Sequence, residues 1–144
     1  MKVRITRLRP DMEIPAYKTE GAAGFDLAAA ESVTILPKQA FPVPTGIGIG
    51  IPSGHVLFLT ARSSLFLKKG LMLANGIGTI DSDYSGPNDE LKIIVFNPGD
   101  APITVEKRER LVNAIILPFV RAELEEGPAE SPDRGGLGST GGYA

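Results

Sequence analysis

Gly46-Ile47-Gly48-Ile49-Gly50-Ile51 sets isoleucine at every second position with glycine between. A period of two reads as a β-strand with one apolar face. The glycine face lets another backbone approach closely. A dinucleotide-binding loop is a poor reading of the same stretch, because GxGxxG spacing is missing and no helical pattern follows. Neighbouring segments repeat the strand pattern: Val3, Ile5 and Arg7 alternate with Arg4, Thr6 and Leu8, and Val56-Leu57-Phe58-Leu59-Thr60 is a further strand. Seventeen glycines and twelve prolines (17 and 12) punctuate apolar runs of strand length. That rhythm predicts an all-β sandwich or barrel. Ser63 to Lys69 predicts one short helical turn, with Ser63 or Ser64 as its cap. Leu91 to Asn97 and Leu111 to Val120 are apolar on both faces. An antiparallel strand with one wet face alternates, so two dry faces predict either a subunit interface or a strand wholly inside the sandwich.

A chain of 144 residues fits one domain with a sizeable core. Net charge is -2, which argues against a general nucleic-acid binder and its basic face. No apolar run is long enough for a membrane span, and Met1-Lys2-Val3-Arg4-Ile5 lacks the apolar core of a signal peptide. A cytoplasmic location is expected. With no cysteine, thiolate zinc sites, disulfides and cysteine nucleophiles are excluded. The single histidine, His55, follows Pro52-Ser53-Gly54 and reads as an exposed or strand-edge residue at a turn, not as a triad member. Chemistry therefore rests on carboxylates, arginine, serine and a hard metal such as Mg²⁺.

Two segments carry that chemistry. Asn75-Gly76-Ile77-Gly78-Thr79-Ile80-Asp81-Ser82-Asp83-Tyr84 reads as a β-hairpin whose backbone edges hold a small planar group. Its carboxylates stand ready to orient a water or a metal. From Glu123 the composition turns polar, and Arg134-Gly135-Gly136-Leu137-Gly138-Ser139-Thr140-Gly141-Gly142 follows. Glycine amides with one guanidinium suit a phosphate-wrapping segment; a plain disordered tail is the alternative. The expected division is a β-barrel over residues 1–122, a linker over 123–133 and a flexible arm over 134–144.

Five segments in order resemble the motifs of the trimeric dUTPase family, enzymes that hydrolyse dUTP to dUMP and pyrophosphate. They are Ala23-Gly24-Phe25-Asp26-Leu27, Ala61-Arg62-Ser63-Ser64-Leu65, the Asn75–Tyr84 run, Arg108-Glu109-Arg110-Leu111-Val112-Asn113 and the segment from Arg134 to Gly141. The resemblance implies a jelly-roll-like β-barrel, Mg²⁺ as cofactor, and a homotrimer whose sites draw motifs from more than one subunit. It implies Asp81 as the residue orienting the attacking water. It implies that Asn75, with backbone around Gly78 and Ile80, faces uracil, and that Tyr84 packs under the deoxyribose and leaves no room for a 2′-hydroxyl. Arg62, Ser63 and Ser64 match the phosphate-binding turn, and Asp26 matches the residue that holds Mg²⁺ through water. Asp83 is expected to pair with Arg110 and brace the hairpin. Lys92 either approaches base or phosphates or is a solvated strand lysine. Arg134, Gly138 and Ser139 match the closing tail. The chain departs from the pattern at Leu137, where an aromatic is usual, at Asn113, where glutamine is usual and where a water-mediated phosphate contact is expected, and in the longer Ser85–Glu90 link. A dCTP deaminase-type enzyme resembles the family and is the alternative. It needs a buried glutamate beside the base, and Glu90 stands only at the start of the strand that would supply it.

Overall fold

The computed structural model describes residues 1–133 and 135. Arg134, Leu137, Gly138 and Ser139 lie outside the described residues. The chain folds as an all-β jelly-roll-type sandwich whose strands pair antiparallel. In chain order the strands are β1 (Arg4–Arg7), β2 (Phe25–Ala28), β3 (Val33–Ile35), β4 (Ala40–Pro44), β5 (Ile47–Gly50) and β6 (His55–Ala61). A short helix α1 (Ser63–Lys69) follows, then β7 (Met72–Leu73), β8 (Gly78–Ile80), β9 (Lys92–Phe96), β10 (Ile103–Val105) and β11 (Arg110–Pro118). The largest sheet runs β2-β11-β6-β8, and a second runs β4-β9-β7. Two pairs, β1-β5 and β10-β3, complete the wall. Among the described residues no helix is long and apolar enough to cross a membrane.

The isoleucine–glycine repeat does what its period demands. Ile47, Ile49 and Ile51 are buried in the core with Leu57, Ile93 and Val112. A Cβ on Gly48 would lie 3.2 Å from the Asp89 carbonyl oxygen, so the glycine face accepts the chain that leads into β9. Core polar groups are matched: buried Asn97 donates to the Ile35 and Ala101 carbonyls (3.0 and 2.8 Å), and buried Thr45 donates to the Leu91 carbonyl at 2.7 Å. Satisfied in this way, they cost little to bury.

Two local expectations are corrected. Asn75–Tyr84 is not a hairpin: Gly78–Ile80 pairs with β6 alone, and the chain then turns, the Tyr84 N–H donating to the Asp81 carbonyl at 3.2 Å. Neither serine caps α1: the cap residue is Arg62, extended at φ -64° and ψ 144°, without a side-chain capping bond. Arg62 is drawn elsewhere, as described below. The outer faces of the apolar runs are open in the single chain, as the subunit-interface reading requires. Along β9, Ile93 and Val95 point inward while Lys92 and Ile94 face out, Ile94 being 40 % exposed. His55 opens β6 at a turn, its Nδ1 3.1 Å from the Ser53 carbonyl, as its context suggested.

Candidate active site

One half of the site is a polar row across three adjacent strands. Asp26 on β2 stands opposite Asn113 on β11, which stands opposite Thr60 on β6. A bulge completes it. Arg110 opposes Ala28 and Val112 opposes Leu27, so β11 carries one extra residue between them. Leu111 and Val112 are consequently both buried, and Arg110 emerges on the face of Asp26. Without the bulge the alternation of a strand would turn Arg110 inward.

Asp26 collects the cations of this face. Arg62 Nε lies 3.3 Å from its Oδ1 and Arg110 Nη1 donates to its Oδ2 at 3.1 Å. Asn113 Nδ2 donates to Oδ1 at 3.4 Å, and Arg62 Nη1 donates to the Arg110 carbonyl at 3.1 Å. The Asp26 side chain is only 13 % exposed, whereas both guanidiniums reach solvent. The carboxylate therefore acts as a fixed anchor that splays two arginines toward an incoming anion. Within one chain Arg110 is engaged by Asp26 and not by Asp83. Ser63 and Ser64 open α1 directly after Arg62. Beside this face the 10–18 loop closes a cleft of ≈ 350 Å³. That loop is pinned by the Lys107–Asp11 ion pair and by Arg9 donating to Glu31 at 2.6 Å. The Lys107 hydrogen bond holds the Asp11 carboxyl below the usual carboxylate range, and the Glu31 hydrogen bond raises Arg9.

The other half is a pocket of ≈ 250 Å³ lined by Thr79, Ile80, Asp81, Tyr84, Glu90 and Lys92. Asp81 is exposed at the end of β8, and Tyr84 is 40 % exposed, its hydroxyl donating to the Glu90 carbonyl at 3.0 Å. Lys92, at the start of β9, lines the pocket too, so it stands with Asp81 and Tyr84. Gly78 packs tightly on β6, where a Cβ would lie 3.0 Å from Leu59 Cβ. Asn75 is exposed just before this strand, its carbonyl accepting from the Ile77 N–H at 2.7 Å.

The two halves sit at opposite ends of β6. Ile80 pairs with Leu57, and Arg62 follows Ala61. Five strand residues at a rise of ~3.3 Å set them roughly 16 Å apart. The expected site residues fall in two groups within the chain: Asp26, Arg62, Ser63, Ser64 and Asn113 at one end of β6, and Ile80, Asp81, Tyr84 and Lys92 at the other. Sequence reading missed Thr60 and the role of Arg110. The second carried no sequence signal: Leu111-Val112 lies in a nearly continuous apolar run, and only the bulge turns Arg110 outward.

A family model, dUTPase, matches residues 10–141. A deoxyuridine 5′-triphosphate nucleotidohydrolase of Anaeromyxobacter sp. (strain Fw109-5) is 41% identical over 141 residues, covering 96% of this chain and 94% of the relative. One from Neisseria gonorrhoeae (strain NCCP11945) is 43% identical over 136 residues, covering 90% and 89%. The solved structure of dUTPase from Streptococcus mutans superposes with a TM-score of 0.76 at 35% identity, over 83% of this chain and 98% of that one. The dUTPase of Staphylococcus bacteriophage 80alpha with dUPNHPP superposes with a TM-score of 0.86 at 25% identity, over 97% and 98%. With its full polar row, its Asp81–Tyr84 pocket and matches along nearly its whole length, the chain belongs to the dUTPase family, enzymes that hydrolyse dUTP.

Proposed function

We propose that this dUTP diphosphatase completes each active site with more than one subunit of a homotrimer. The observation that carries the reading is the placement of Asp81 and the Arg62–Ser64 turn at opposite ends of β6. A general base must lie within hydrogen-bond reach of its water, and that water must lie against the phosphorus it attacks. Roughly 16 Å of strand separates the two groups in one chain, so a neighbour's turn serves this chain's Asp81. Exposed Ile94 and Met72 on the outer sheet, and Leu117 and Phe119 at the end of β11, support contact between copies.

In this reading Asn75 and the backbone of Gly78 and Ile80 hold the uracil edge, an amide being both donor and acceptor. Tyr84 lies under the deoxyribose, and Lys92 faces the nucleotide from the pocket wall. Asp81 aligns a water and takes its proton as the water oxygen bonds to the α-phosphorus. The bond from that phosphorus to the bridging oxygen breaks, and pyrophosphate leaves. Arg62, Ser63 and Ser64 hold the phosphates, with Asn113 reaching them through water. Arg134, Gly138 and Ser139 of the closing arm add a guanidinium and amide donors, and Leu137 covers the base. Residues 1–122 form the barrel, 123–133 the linker and 134–144 the arm. The names of the relatives favour hydrolysis over deamination, and the Glu90 carboxylate is tied to the Gly46 amide at 2.7 Å.

The donor set fits Mg²⁺ in one manner. Among the described residues no group of three or more His, Asp or Glu side chains converges, and Asp26 already faces two guanidiniums. Asp26 would hold a hard cation only through water, with the substrate phosphates as its main ligands. When bound, it supplies charge neutralisation on the phosphates. The nucleotide substrate and the cysteine-free composition support a cytoplasmic location.

Mixing two inactive variants tests the shared site. Asp81→Asn and Arg62→Ala chains, dissociated and reassembled together at equal ratio, regain about a quarter of wild-type pyrophosphate release if the two residues come from different subunits. No regain on mixing would refute the shared site.

A further inference from the structure

The Ser85–Glu90 segment, longer than the family pattern, is built as a brace. Gly86 N–H donates to Asp89 Oδ2 at 2.6 Å, closing the segment on itself. The Asp89 carbonyl lies over the glycine face of β5 at Gly48. Glu90 then makes two bonds in opposite directions. Its Oε1 accepts the Gly46 N–H at 2.7 Å, and its backbone carbonyl accepts the Tyr84 hydroxyl at 3.0 Å. Gly46 is a rigid anchor. It holds φ +67° in the turn between β4 and β5, its carbonyl accepts the Leu8 N–H at 2.8 Å, and the flanking Ile47 carbonyl accepts the Leu91 N–H at 2.9 Å. The same Glu90 lines the pocket that holds Asp81 and Tyr84.

We infer that Glu90 is a positioning residue for Tyr84: by coupling the tyrosine hydroxyl to the Gly46 turn it fixes the ring height, and so sets how strictly a 2′-hydroxyl is refused. The inference rests on the sugar-facing role proposed for Tyr84. A ring excludes one extra oxygen only if it cannot retreat, and a half-exposed tyrosine held at its far end by one hydrogen bond retreats when that acceptor moves. A carboxylate accepting from a backbone N–H is a charge-assisted bond, stronger than a neutral pair, and it holds Glu90 to the turn beside the Leu91 N–H bond of the same peptide.

The test compares kcat and KM for dUTP and UTP in four variants. Glu90→Ala loses the acceptor for Gly46; the preference for dUTP over UTP is expected to fall about tenfold, with KM for dUTP rising more than kcat falls. Glu90→Gln keeps an acceptor oxygen and is expected to restore most of that preference. Tyr84→Phe removes only the hydroxyl and leaves Glu90 and its Gly46 bond in place; it is expected to relax the preference in the same direction, and it decides the matter should Glu90→Ala fail to fold. Unchanged discrimination in folded Glu90→Ala or in Tyr84→Phe, with Tyr84→Ala relaxing it, overturns the positioning role alone. Unchanged discrimination in Tyr84→Ala overturns the sugar-facing reading on which it rests.

Discussion

Asp81 and Asp26 both belong to the proposed site, yet their surroundings suit them to opposite work. Asp26 is nearly buried and carries two arginines and an asparagine. Its charge is committed to holding cations in place, and removing it would leave two guanidiniums to scatter. Asp81 is exposed at a strand end, beside an aromatic and a lysine that also line its pocket. A carboxylate so placed has lone pairs free for a water. Asp81→Asn keeps shape and acceptor oxygen but cannot take a proton. Turnover should fall ~10²–10⁴-fold, while calorimetric titration with a non-hydrolysable dUTP analogue should show binding within a few-fold of wild type. Loss of binding together with turnover would assign Asp81 to ground-state recognition instead.

At the level of elements, β2, β11 and β6 act as one rigid plate because their backbones approach where side chains are absent. Gly24 enters β2 with the Asn113 Oδ1 2.2 Å and the Ala114 carbonyl oxygen 2.5 Å from where a Cβ would sit. Asparagine can swing away, but a carbonyl in the ladder cannot. Gly24→Ala should therefore push β2 off β11 and cost about 1–3 kcal/mol of stability, read as a lower denaturant midpoint. Phosphate affinity should drop as well, since Asp26 rides on the displaced strand. A midpoint equal to wild type would mean that β2 has room to shift. The bulge before Val112 is the second device in this plate. It converts a strand that the sequence shows as a continuous apolar run into one that buries Leu111 and Val112 and still presents Arg110. Glycine in Ala23-Gly24-Phe25 was legible as a point of close approach only in principle, because its neighbour Asn113 is 89 positions away in sequence.

On the scale of the whole molecule, regular structure among the described residues ends at Pro118, and the last backbone tie of that region is Phe119 N–H to the Gly54 carbonyl at 3.0 Å. Residues 121–133 are exposed and outside any strand or helix. A chain ending at Asp133 should keep the wild-type unfolding midpoint and lose turnover on the order of 10²-fold if Arg134 and Leu137 act as proposed on phosphate and base. A truncated chain with full pyrophosphate release would remove Arg134 and its neighbours from the site. Period-two isoleucines, the Gly and Pro punctuation and the five ordered motifs were enough to read an all-β barrel and the dUTPase family. Those features are local, and alternation along a strand depends on nothing but the pleat. Which end of β6 each motif occupies, that Arg110 turns to Asp26 and not to Asp83, and that Glu90 ties Tyr84 to Gly46 were decided only by the tertiary structure. Each depends on strand register, on one bulged residue, or on contacts between segments up to 84 positions apart, and no local pattern in a chain encodes a distance that only folding creates.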